Sequence, residues 1–124
     1  MPKKIVIDLD NTLTIKGGGT DYAKATPNLD VIQKLKSYKR MGFEISIYTA
    51  RNMQTYKNSI GLITANTLPI IIEWLKKHKV PYSEIYVGKP WCGDEGFYVD
   101  DKAIRPDEFV CLDYKDIKKL IKLK

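Results

Sequence analysis

Residues 5–14 read IVIDLDNTLT. A brief β-branched run, of the kind that becomes a buried strand, ends in two aspartates one residue apart, Asp8 and Asp10. Alternate residues at a strand end point the same way, so both carboxylates can face one atom. Outward from this strand (residues 3–9), the stretch KGGGTDY (16–22) reads as a loop, because three consecutive glycines hold neither helix nor strand. Thr26 and Pro27 then predict a helix start, with the hydroxyl as cap and proline at the first helical position. Leu29, Ile32, Leu35 and Tyr38 recur at helical spacing, and Gly42 supplies the stop.

A second strand is expected in FEISIY (43–48), ending in TAR. Residues 52–66 are polar and fit either a short helix or a mobile segment. TLPIIIEWLKKH (67–78) predicts a helix capped by Thr67, and EIYVGK (84–89) a third strand. GFYVDD (96–101) predicts a fourth strand and Phe109 to Leu112 a short fifth. A C-terminal helix then opens on DYKD with an aspartate cap. Strand and helix alternate, which argues for an α/β fold: one domain over 1–124, with a Rossmann-like parallel sheet of about five strands flanked by helices.

With 124 residues, 44% of them hydrophobic, the chain can bury one core. Its start lacks the apolar centre of a signal peptide, and no apolar run reaches membrane-spanning length, so a cytosolic protein is expected. Cys92 and Cys111 have neither zinc-site spacing nor disulfide density, and the single histidine, His78, is remote in sequence from Cys92. Both thiols are read as free. The net charge of +6 favours anionic partners, although much of it lies in the lysine-rich tail, where Ile117, Leu120 and Ile121 form one helical face. A membrane partner is not expected.

Parallel strands point their carboxyl ends to one edge, where α/β folds bind ligands. The expected strands deliver Asp8 and Asp10, then Thr49, Lys89, and Asp100 with Asp101 to that edge. Carboxylates gathered there call for a cation, and all-oxygen ligation suits Mg2+ completed by phosphate oxygens. Lys89, the Thr49 hydroxyl and the backbone amides after Asp8, at Leu9 and Asn11, would be the phosphate donors. Taken singly, each residue has a bland reading as a cap, a turn or a surface charge. One phosphate-transfer site accounts for all of them and their order.

These residues resemble the haloacid dehalogenase (HAD) superfamily of phosphatases. DLDNT matches its first motif, Thr49 in IYTAR the second, Lys89 in VGKP the third, and Asp100-Asp101 in YVDD the acidic fourth, over residues 5–101. The run GKPWCGDEGFYVDDKAIRPDEF is similar to small capsule and polysaccharide biosynthesis phosphatases. The resemblance implies that Asp8 attacks phosphorus to form an aspartyl-phosphate that water hydrolyses. Asp10 would protonate the leaving oxygen and then deprotonate that water. Mg2+ would be held by the Asp8 carboxylate, the Asp10 carbonyl and Asp100, with Asp101 contributing directly or through water.

No stretch is long enough for an inserted cap domain, so the protein reads as capless, its site closed by a large substrate or by a neighbouring subunit of a homo-oligomer. Arg51, Trp91 and Arg105 are candidate substrate contacts. Each arginine equally suits a salt bridge to a nearby acid, and Trp91 suits packing. The expected partner is a small phosphorylated metabolite such as a sugar phosphate. The rivals are a phosphoprotein or nucleic-acid end as substrate, a phospho-accepting receiver domain, and a non-catalytic nucleic-acid-binding protein.

Overall fold

The computed structural model describes residues 3–16 and 22–123. The glycine run expected to form a loop lies almost wholly outside them. The chain divides into two compact units, Met1–Trp91 and Cys92–Lys124.

The first unit is an α/β layer built on three parallel strands: β1 (Lys4–Ile7), β4 (Glu44–Thr49) and β5 (Glu84–Val87), in the order β1-β4-β5. Between β1 and β4 lie β2 (Thr14–Lys16), β3 (Thr26–Pro27) and the helix α1 (Leu29–Arg40). Between β4 and β5 lie α2 (Ile60–Asn66) and α3 (Leu68–Lys77). The register pairs Ile7 with Ile47 and Thr49 with Val87. β4 is the central strand, and Ile45 and Ile47 are sealed from solvent, each contributing roughly 1.5–3 kcal/mol by burial. They belong to a core with Val31, Ile32 and Leu35 of α1, Ile63 of α2, and Ile71 and Leu75 of α3.

Several local expectations shift. Thr26 and Pro27 do not start α1; they pair antiparallel with β2, and Asn28 caps the helix by accepting from the Val31 N–H at 3.4 Å. Proline's fixed φ suits an extended residue as well as a first helical one, and asparagine caps as well as threonine. Gly42 ends the helix region at φ +97°, where a side chain would be strained. Residues 60–66 of the ambiguous stretch fold as α2, capped by Ser59. Thr67 precedes α3 but its side chain does not cap it: its backbone is already helical, and its hydroxyl donates to Asn52 Oδ1 at 2.7 Å.

The opposite face of the sheet carries a polar cluster. Glu84 accepts from Lys4 Nζ at 2.8 Å, from the Ser46 hydroxyl at 2.5 Å and from the Tyr86 hydroxyl at 2.7 Å. The Lys4, Ser46 and Tyr86 bonds hold its carboxyl down to about 2 from an ordinary 4.5. A depressed carboxyl contributes stability above its unfolded value and loses it as pH falls through the folded one. Glu84→Gln is therefore expected to lower Tm at neutral pH, with the difference from wild type closing between about pH 4.5 and pH 2. Because the cluster is open to solvent, the effect shrinks in high salt, which thermal melts at two ionic strengths will show.

The second unit holds α4 (Pro106–Cys111) and α5 (Tyr114–Leu120). The expected fifth strand is α4. Pro106 at its first position and Glu108, which accepts from the Arg105 N–H at 2.9 Å, nucleate a helix that the apolar FVC run alone does not reveal. Asp113 caps α5 as expected, accepting from the Asp116 N–H at 2.9 Å. The expected fourth strand is absent, since residues 96–100 belong to no strand. Among the described residues, no helix is long and apolar enough to cross a membrane.

Candidate active site

All three parallel strands end at the same edge, and the polar residues that follow them gather there. β1 runs into a tight turn organised by one carbonyl. Leu9 O accepts from the N–H groups of Leu13 at 2.9 Å and Thr14 at 3.1 Å, and more weakly from Thr12 at 3.4 Å. Asn11 takes φ +61°, a conformation asparagine tolerates better than most residues, and its N–H donates to Thr14 Oγ1 at 2.9 Å. The Leu9 side chain is fully buried beneath the turn. Asp8 and Asp10 are thus held on either side of an anchored residue.

Asp8 is half-buried, and Lys89 Nζ stands 3.8 Å from its Oδ1. Burial raises the Asp8 carboxyl above its ordinary value, and Asp10 adds to the rise. Lys89, the Leu9 N–H and Arg51 act against it. Lys89 reaches this position because Gly88, at φ +87°, turns the chain out of β5, and the Lys89 N–H donates to Thr49 O at 3.1 Å. A Cβ on Gly88 would collide with the Ile60 side chain of α2.

Asp10 is gripped by Arg51 through both oxygens, Nη2 to Oδ1 at 2.7 Å and Nε to Oδ2 at 3.2 Å. The Arg51 side chain is only 1% exposed, and among the described residues its Nη1 has no partner. Its guanidinium lies 4.3 Å from the centre of the Tyr22 ring. Tyr22 is held in turn by the core: Trp74 Nε1 donates to Ala25 O at 2.9 Å, and the Ala25 N–H donates to Tyr22 O at 3.2 Å. Thr49 is buried, and its hydroxyl accepts from the Arg51 N–H at 3.0 Å, which leaves its hydrogen for a further acceptor.

The structure therefore brings together Asp8, Asp10, Thr49, Arg51 and Lys89. Arg51, read from sequence as a substrate contact or a salt bridge, forms the salt bridge. Of the amides expected to receive phosphate, the Asn11 N–H is engaged within the protein, by Thr14 Oγ1. A turn this tight satisfies its own donors. Tyr22 and Thr14 escaped the sequence reading, since a ring stacked on a guanidinium and a hydroxyl three residues along carry no motif. Trp91 is 48% exposed rather than packed.

Arg105 and the second acid pair lie in the other unit. Arg105 is exposed beside Asp107 at 3.9 Å, and its N–H helps open α4. Asp100 Oδ1 accepts from the Lys102 N–H at 2.9 Å, a turn-forming bond, and Asp101 is exposed. Cys92 and Cys111 are free thiols. Among the described residues, no three His, Cys, Asp or Glu side chains form a group able to hold a metal.

Neither a family model nor a curated protein matches the chain. A crystal structure of an MCSG target from Vibrio cholerae is similar to it at 54% identity, with a TM-score of 0.94 and a match covering 97% of each chain.

Proposed function

We propose, for a chain that belongs to the same family as the Vibrio cholerae protein, a Mg2+-dependent phosphomonoester hydrolase of the HAD type that works through an aspartyl-phosphate on Asp8. One observation carries the reading. A half-buried carboxylate raised by its surroundings stands at the carboxyl edge of a parallel sheet with an ammonium 3.8 Å away and a second, clamped carboxylate two residues on. A carboxylate whose ionised form is poorly solvated is a better nucleophile than one stabilised by water, and Lys89 keeps it charged while offsetting charge on the transferring phosphoryl oxygens.

Asp10 is the proposed acid and base. Arg51 takes one acceptor site on each of its oxygens and leaves the other open, so the ion pair orients the carboxylate while a proton still has access to it. Among the described residues the buried Nη1 has no partner, which leaves Arg51 a donor that a substrate oxygen would engage. In the proposed cycle the Asp8 carboxylate displaces the alcohol oxygen from phosphorus as Asp10 protonates that oxygen. A water deprotonated by Asp10 then splits the acyl phosphate, returning Asp8 and releasing inorganic phosphate.

The oxygen donors of the first unit, the Asp8 carboxylate and the Asp10 carbonyl, suit Mg2+, which would neutralise phosphoryl charge when bound. For Asp100 and Asp101 as further ligands, the ground is the sequence motif. A sugar phosphate is the proposed substrate, on the likeness of the GKPWCGDEGFYVDDKAIRPDEF run to capsule and polysaccharide biosynthesis phosphatases, and exposed Trp91 is available to stack on a sugar ring.

Phosphate release from a panel of phosphorylated metabolites, phosphopeptides and phosphorylated oligonucleotides is expected to need Mg2+ and to be fastest on a sugar phosphate. Turnover confined to the macromolecules would overturn the substrate class. On the preferred substrate, Lys89→Ala is expected to lower kcat/KM by about 10²–10³-fold.

A further inference from the structure

The segment Phe97-Tyr98-Val99 has the composition of a strand. It belongs to no strand, and Phe97 is 79% and Val99 88% exposed. In the first unit, β1 is an edge strand, with no strand on its outer side among the described residues, and its Val6 is 60% exposed. A bare edge of a parallel sheet beside exposed apolar side chains is a template for another strand. The exposed apolar side chains and the bare edge each have what the other lacks.

We propose that residues 97–101 of one copy add as a fourth parallel strand to the β1 edge of a second copy, and that the exchange is reciprocal, closing a two-fold dimer. Aligning the two acidic ends puts Tyr98 opposite Val6 and Val99 opposite Ile7, which covers the exposed apolar side chains. The same alignment sets Asp100 beside Asp8. Each site then takes Asp8, Asp10 and Lys89 from one copy and the acid pair Asp100-Asp101 from the other. This shared site rests on the phosphatase reading; the exchanged strand does not, since exposure and edge position alone carry it. The partner's strand would also add its carboxylates to the Asp8 and Asp10 oxygens proposed to hold Mg2+.

Two experiments separate these parts. Val6→Cys with Tyr98→Cys, in a chain carrying Cys92→Ser and Cys111→Ser, is expected to oxidise to a covalent dimer on a non-reducing gel, with wild type at twice the chain mass by light scattering. A disulfide closed within one chain, failure to cross-link, or a monomer at all concentrations would each overturn the exchange, whatever the activity.

For the shared site, Asp8→Asn and Asp100→Asn chains with different tags are co-expressed and mixed dimers isolated through both tags. Each variant alone is inactive. A mixed dimer restores one intact site of two, so about half of wild-type phosphate release is expected. Mixed dimers as inactive as the parents would overturn the shared site. If wild type itself hydrolyses no phosphoester, the phosphatase reading and the shared site fall together, and the cross-link still decides the exchange.

Discussion

Asp8→Asn is expected to lower phosphate release by 10³-fold or more, on the order of what removing a nucleophile costs other hydrolases, while leaving the protein folded. The same variant is expected to be more stable than wild type at neutral pH. Burial raises the Asp8 carboxyl, so the ionised group is worse off folded than unfolded. A raised carboxyl contributes stability that is present below its unfolded value and lost as pH rises through the folded one. Asparagine carries no such loss. The gain in Tm should therefore be largest near pH 7 and close as pH falls below the ordinary carboxylate range. Activity retained in Asp8→Asn would end the nucleophile assignment, and a lower Tm at pH 7 would show that Asp8 is net stabilising.

Arg51→Ala is expected to have the largest effect on stability. The substitution removes a buried guanidinium that grips Asp10 through two bonds and stacks on Tyr22. Breaking a buried ion pair from one side costs about 3–5 kcal/mol, but Asp10 retains some solvent, so about 2–4 kcal/mol is expected here, with Tm lower by roughly 10 °C. Asp10→Asn should cost less, because it keeps an acceptor for the guanidinium. In the double variant the two losses should sum to more than the measured total, and strict additivity would show that the pair is not coupled.

Arg51 also shows what a sequence can and cannot disclose. Its place directly after the second strand marked it for the carboxyl edge, but whether it met substrate or Asp10 depended on side-chain geometry 41 residues away in sequence. The three parallel strands and the helices α1 and α3 were legible from their apolar periodicity, although the caps expected for both helices were wrong, and α5 was legible from its aspartate cap as well. Pro27 was misleading, since its restricted φ serves a strand end and a helix start alike, and Asn28 settled the choice one residue later. Phe109 to Leu112 looked like a strand because four residues are too few to show helical periodicity, and the evidence for α4 lay upstream in Pro106 and Glu108. GFYVDD kept a strand's composition without a strand's neighbours. Pairing partners are not written in a segment's own composition.

The hydrogen bond from Trp74 to Ala25 links quantities usually optimised apart. Trp74 is a large core side chain, and through Ala25 it also fixes the backbone that carries Tyr22, whose ring lies on the guanidinium gripping Asp10. On the proposed mechanism, selection for thermal robustness and selection for turnover therefore act on the same indole. A lineage that repacked this part of the core would have to retune the proposed proton donor in step, so drift at position 74 should be slow even though the indole is buried.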